Sequence, residues 1–132
     1  MASESAVNVL LDTCALLALA RGELPHHART ALRRAPEAFV CVVSPWEVSI
    51  KVVAGKLRLR EPPLIWFIGL TGKYGLREIP LDAPIACAAA ALPLVHRDPF
   101  DRILVALAQA HALTIITSDE NIPKYPGVKT LW

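Results

Sequence analysis

The sequence predicts an α/β sandwich built around a mostly parallel sheet. Three observations carry that expectation. Short apolar runs rich in β-branched residues alternate along the chain with stretches patterned as helices. Acids recur at the ends of those runs, or in the first turn of the helix that follows. No internal repeat, low-complexity tract or linker divides the 132 residues, a length that suits one core, so residues 1–132 are expected to form one domain.

The elements are expected in the following order. Val7-Asn8-Val9-Leu10-Leu11 reads as a buried strand ending at Asp12, and Thr13 can cap a helix running to about Ala20. Pro25 to Ala35 is a second helical stretch, and Phe39 to Val43 a second strand. Ser44-Pro45-Trp46-Glu47 has the form of a capping box: a hydroxyl N-cap, proline at the first helical position, and an acid at the third. Gly55 suits the end of that helix. Pro63 to about Lys73 is helical, Leu76 to Ile79 a short strand, and Ala83 to Leu92 an alanine-rich helix. Asp98-Pro99-Phe100-Asp101 repeats the cap–proline–acid pattern and opens a helix to about His111. Leu113 to Thr117 is a strand that leads to Asp119, and Val128 to Leu131 a last one.

Composition narrows the class. Hydrophobic residues make up 54% and charged residues 20%, which excludes general disorder. The mean hydropathy of +0.41 is high for a soluble monomer, so part of the apolar surface is expected to be covered by another chain. The longest apolar run, Ala83 to Val95, contains Pro84 and Pro93 and is shorter than the roughly 20 residues of a membrane span. The N-terminal stretch has no basic region before its apolar run, so a cytoplasmic protein is expected. Cys14, Cys41 and Cys87 are odd in number, far apart and set among apolar neighbours, which reads as reduced, buried thiols. His26, His27, His96 and His111 show no familiar metal spacing. The formal charge of +2 says little, but Lys51, Lys56, Arg58 and Arg60 follow Glu47, and Arg97 and Arg102 flank Asp98 and Asp101.

Each acid has a purely structural role open to it. Glu47 can close a capping box, Asp98 can cap, Asp101 can sit favourably at a positive helix end, and Asp119 can cap a turn. Asp12 is harder to explain so. It lies between two apolar segments, where a carboxylate is costly unless paired or metal-bound. The joint pattern matters more. In parallel sheets ligands bind beyond the carboxyl ends of the strands, and acids at several βα junctions share that edge. Carboxylates brought together raise one another's pKa. A hard divalent cation such as Mg²⁺, which prefers oxygen ligands, removes the conflict.

The segments LLDTCALLAL, SPWEVSIKVVAGKL, HRDPFDRILVALA and LTIITSDENI, with the ending VKTLW, resemble PIN-domain proteins, most of all the VapC-type toxins of toxin–antitoxin pairs. The resemblance covers essentially the whole chain. It implies a PIN-like three-layer α/β/α sandwich and Mg²⁺- or Mn²⁺-dependent cleavage of RNA by a metal-activated water. The family's four acids fall on Asp12, Glu47, Asp101 and Asp119, with Thr117 and Asp98 in support. Lys51, Lys56, Arg97 and Arg102 are then candidates for steering the RNA, although Lys51 also stands one helical turn from Glu47 and can pair with it. The resemblance further implies a cognate antitoxin and a homodimer. The helix Thr13 to Ala20 and the segment Leu64 to Leu70, with Trp66 and Phe67 as anchors, are the candidate contact surfaces. Two other readings remain beside it. One is a PIN scaffold that binds RNA or protein without cutting. The other is a phosphotransfer domain using Asp12, against which Cys14 stands where such a phosphatase needs a second aspartate.

Overall fold

The structure, a computed structural model, describes residues 6–132. Its centre is strand β1 (Val9–Leu11), which pairs in parallel on one side with β2 (Ala38–Cys41) and on the other with β4 (Thr114–Ile116). Strand β3 (Arg77–Ile79) extends the sheet beyond β2, and β5 (Lys129–Leu131) extends it beyond β4. The order is β3-β2-β1-β4-β5 and every pairing is parallel, as the alternation of strands and helices requires.

The period of two along the strands sorts side chains to two faces. Val9, Leu11, Ala38, Val40 and Ile116 pack with α1 (Thr13–Arg21), α2 (His26–Arg34) and α4 (Pro63–Tyr74) through Leu16, Leu19, Ala28, Phe67 and Leu70. Leu10, Cys41, Ile79 and Ile115 pack with α5 (Ala83–Ala91) and α6 (Pro99–His111) through Ile85, Ala89, Leu104 and Leu107. Helix α3 (Val43–Val53) reaches α1, α4 and α6. A short 3₁₀ turn, Ile122–Lys124, precedes β5. This is the expected three-layer sandwich. Among the described residues no helix is long and apolar enough to cross a membrane.

Several boundaries differ from the sequence reading. β1 begins at Val9 rather than Val7, because its neighbours begin opposite Val9. Asp12, not Thr13, caps α1: its Oδ1 accepts from the Ala15 N–H at 2.8 Å. The expected Ser44–Glu47 capping box does not form. Val42 is already in right-handed helical conformation, so β2 stops at Cys41 and α3 starts at Val43. Ser44 lies inside the helix with no exposed surface, and Thr13 Oγ1 donates to its hydroxyl at 3.0 Å. Pro45 costs nothing there, since the first-turn N–H groups of a helix lack intrahelical partners anyway. The second box is as expected, with Asp98 as N-cap, Pro99 at the first position and Asp101 in the first turn of α6. The cysteines are free, but only Cys41 is buried; Cys87 is exposed on the thin alanine helix α5 and Cys14 is half-buried.

The expected contact surface on α4 is also revised. Phe67 is buried and Trp66 packs against the core, so neither is a free anchor. The exposed aliphatic residues of α4 are Leu64, Ile65 and Ile68, and neighbouring α3 adds Trp46, Ile50 and Val53.

The Thr13–Ser44 bond ties the start of α1 to the first turn of α3 in a place without water. Replacing Ser44 with Ala strands the Thr13 hydroxyl. We expect a loss of about 1–2 kcal/mol in chemical denaturation; a neutral substitution would show that the bond is not part of the native state.

Candidate functional site

The carboxyl ends of β1 and β4 bring together residues more than a hundred positions apart. Asp12 follows β1 directly, and its backbone N–H still donates to the Ile116 carbonyl at 3.2 Å. The residue is only 4% exposed. Thr117 follows β4, equally buried, with its N–H on the Leu131 carbonyl at 3.0 Å. The Thr117 hydroxyl accepts from the Asp119 N–H at 2.9 Å and hydrogen-bonds the Asp12 carboxylate. Asp119 Oδ1 in turn accepts from the Asn121 N–H at 2.7 Å. One buried threonine thus couples two acids, and that pairing follows from the parallel register of Leu11 with Ile116.

Asp101 completes the group from the first turn of α6. Burial pushes its carboxyl up to about 8, and the charges of Asp98, Asp119 and Asp12 push the same way. Asp12 is raised to about 6, chiefly by burial and further by Asp119, with the bonds from Thr117 and Ala15 working against the rise. The structure therefore places Asp12, Asp101 and Asp119 within reach of one another's charge, with Asp98 at the edge. Asp98 uses Oδ1 to cap α6, accepting from the Phe100 N–H at 2.9 Å.

Glu47 sits in the second turn of α3, and Lys51 Nζ lies 3.5 Å from its Oε2. The T-shaped contact of Trp46 with Phe100, ring centres 5.0 Å apart, holds this part of α3 against the start of α6. Glu47 is thus placed near the helix that carries Asp101, already paired with a lysine, and free of the capping duty the sequence assigned to it.

The basic residues divide. Lys56 and Arg97 are exposed. Arg102, expected to face RNA, is instead turned onto the protein. Its guanidinium donates to the carbonyls of Ala90, Leu92, Pro93 and His96 and approaches the Tyr125 hydroxyl. These bonds clamp the α5–α6 loop, so Arg102 is a structural residue. The sequence showed its charge beside Asp101 but not the carbonyls one loop away.

His96, which has no familiar metal spacing in the sequence, joins the acids in the structure. Its Nδ1 lies 3.3 Å from Asp101 Oδ2, outside hydrogen-bonding geometry, and is buried without any other partner. His96, Asp98 and Asp101 each offer a donor atom within 4.8 Å of the others. The signal in the sequence was His-x-Asp-x-x-Asp across a helix start, a spacing outside the usual metal motifs. Cys14 lies at the other side of Asp12, its Sγ 2.8 Å from the Ser118 hydroxyl, and burial with the Asp12 charge raises its thiol pKa.

His96, Asp98 and Asp101 stand close enough to share a divalent cation, with Asp12 and Asp119 within reach of the same charge, and this donor set fits such an ion. It is dominated by carboxylate oxygens, two of them held out of their ordinary ionisation range, and it includes an orphaned nitrogen; a bound cation relieves both conditions at once. A cavity of about 620 Å³ lies elsewhere, at the opposite end of the strands by Ala38 and Arg77, so the acids line an open sheet edge and not that recess.

The raised pKa of Asp12 makes a definite statement about the metal-free protein. The folded state keeps its proton to higher pH than the unfolded chain, so the contribution of Asp12 to stability is fullest below about pH 4 and falls as pH rises toward 6, with that of Asp101 falling on toward 8. Asp12→Asn retains the cap and the shape. In chelator, it is expected to gain on the order of 2 kcal/mol at pH 8 and nothing at pH 4 in chemical denaturation. Equal destabilisation at both pH values would contradict the buried, repelled carboxylate.

Known proteins share this architecture. The PIN domain family model matches residues 9–128. Ribonuclease VapC22 of Mycobacterium tuberculosis is 28% identical over 108 residues, which cover 80% of this chain and 82% of that protein. A chain of a toxin–antitoxin complex from Klebsiella pneumoniae superposes with a TM-score of 0.64 at 24% identity, covering 91% of this chain and 94% of its own. A chain of VapBC2 from Rickettsia felis, bound to a DNA fragment from its promoter, reaches 0.70 at 13% identity over 95% of this chain and 98% of its own. With the match extending from the first residue of β1 to the threshold of β5, the chain belongs to the PIN-domain family.

Proposed function

We propose that this protein is a Mg²⁺- or Mn²⁺-dependent endoribonuclease acting as the toxin of a toxin–antitoxin pair. The observation that carries the reading is the convergence of Asp12, Asp101 and Asp119 at one sheet edge, two of them with strongly raised pKa values. The ribonuclease among its relatives and the toxin–antitoxin complexes among its structural neighbours support the same reading.

Asp12, Asp101 and Asp119 are the residues that would hold the ion, with Glu47 as a further ligand or as the group that orients water. The ion, when bound, lowers the pKa of a water and stabilises charge on the phosphate. The chain does the rest. Thr117 fixes the Asp12 carboxylate and the turn of Asp119. The N-terminus of α6 offers positive potential to a phosphate beside the acids. Lys56 and Arg97 are exposed and available to the RNA backbone, whereas Lys51 serves Glu47 first.

The partners we assign are a cognate antitoxin and a second copy of this chain, in the cytoplasm where the RNA is. The exposed apolar residues of α3 and α4 are the surface that most needs covering.

Purified protein, freed of any partner, should cut RNA with Mn²⁺ or Mg²⁺ and lose that cleavage in chelator. Asp12→Asn and Asp101→Asn should each lower the rate by at least about a hundredfold, in line with loss of a group that acts on the reacting centre, while circular dichroism stays native. Cleavage by Asp12→Asn at the wild-type rate would overturn the assignment.

Expression of the chain alone should arrest growth. Glu47→Gln should relieve the arrest if its carboxylate serves the reaction; persistent toxicity would reduce Glu47 to the partner of Lys51.

A further inference from the structure

We infer that His96 is a nitrogen ligand of the ion bound by this site, and that it turns an all-oxygen centre into one that prefers a first-row transition ion to Mg²⁺. The inference rests on the metal-dependent reading above and adds to it a residue and a selectivity.

The first observation is the orphaned atom. His96 Nδ1 has no exposed surface and no hydrogen-bond partner, although the rest of the ring is partly exposed. A buried nitrogen without a partner is an unfavourable arrangement unless something absent from the protein atoms satisfies it. The second is its aim. Nδ1 lies 3.3 Å from Asp101 Oδ2, and the donor atoms of His96, Asp98 and Asp101 lie within 4.8 Å of one another. Adjacent donors around an octahedral ion with bonds of about 2.1 Å are about 3 Å apart, so the closest pair already has that spacing.

The third observation is how firmly the residue is held. The Tyr125 hydroxyl accepts from the His96 N–H at 3.1 Å and donates to the His96 carbonyl at 3.2 Å. Tyr125 is itself only 2% exposed, and Arg102 donates to the same carbonyl and to three more along the loop. Both backbone polar groups of His96 are thus occupied by a side chain 29 positions away, which fixes the place from which the imidazole projects. Asp98 has Oδ1 engaged as the α6 cap, which leaves Oδ2 as its donor.

The ligand types then determine which ion is favoured. Mg²⁺ takes oxygen donors and dehydrates reluctantly, whereas imidazole suits the later first-row ions. Adding one imidazole to a carboxylate set therefore moves selectivity away from Mg²⁺. A rival role for the same ring is that of a cation paired with Asp101, which would compete with a metal.

The test is calorimetric titration of the purified full-length protein with CoCl₂ and separately with MgCl₂, together with the visible absorption of bound Co²⁺. The variants are His96→Gln, Asp98→Asn and Tyr125→Phe, with folding checked by circular dichroism. Wild type is expected to bind Co²⁺ at least tenfold more tightly than His96→Gln does, with Mg²⁺ affinity changed less than threefold. The Co²⁺ spectrum should shift in the variant. Tyr125→Phe, which removes both bonds to the His96 backbone but keeps the imidazole in the chain, should give a smaller loss of the same sign, and Asp98→Asn should weaken Co²⁺ binding with the imidazole intact. Unchanged Co²⁺ affinity and spectrum in a folded His96→Gln would overturn the inference and leave the acidic site standing. Tighter binding of both ions in that variant would overturn it in favour of the cationic role. If wild type binds neither ion, the metal-dependent reading itself falls, and this inference with it.

Discussion

The burial of the Asp12 carboxylate at the end of the central strand is the constraint around which the rest is arranged. A charge placed there is isolated from water, and the fold answers with the few groups that the strand ends supply: the Ala15 N–H from α1 and the Thr117 hydroxyl from β4. Those groups lower the Asp12 pKa but do not overcome its burial. Two more acids, Asp119 and Asp101, are then brought close, which worsens the electrostatics. A fold selected for stability alone would put an apolar or neutral residue at this point. The cost makes sense when the site has a cationic occupant, because the same desolvation that penalises the bare carboxylates strengthens their hold on a metal.

Sequence made the sheet and most of the acid set legible for one reason: strands in a parallel sheet end on one edge, so acids at strand ends share it. Asp12 and Asp119 follow directly from that rule, and Asp101 from the intact cap–proline–acid signal of α6. The errors came where a local pattern competed with a tertiary contact. Ser44-Pro45-Trp46-Glu47 has the pattern of a capping box, yet Ser44 lies two positions inside the helix, where it meets Thr13, because Val42 is already helical and takes the cap position. Arg102 reads as a free cation but meets carbonyls that lie together only after α5 and α6 pack. His96 opens the HRDPFDRILVALA segment, but its spacing from Asp98 and Asp101 is outside the usual metal motifs, and Tyr125 holds the loop from which it approaches Asp101. Trp66 and Phe67 illustrate the helical equivalent, since the apolar content of α4 was evident but not which side of it faces the core.

The apolar residues divide between two unequal tasks. Strand β1 and the inner faces of α1 and α6 are sealed from water, whereas Ile50, Val53, Leu64, Ile65 and Ile68 are left outside on α3 and α4. The high mean hydropathy therefore reflects a filled core together with an uncovered face. That face is formed by α3 and α4, which pack against each other, and α3 itself carries Glu47.

The register of β1 against β4 also has a consequence for synthesis. Leu11 pairs with Ile116, so the chain must close a loop of about a hundred residues before Asp12 acquires its neighbours. At roughly 5–20 residues per second of translation, a ribosome presents Asp12 several seconds before Asp101 and Asp119. The helices near Asp12 can form locally in that interval, but the acidic cluster cannot. A nascent or prematurely terminated chain that ends before Asp101 therefore carries Asp12 without the acids that surround it in the folded protein.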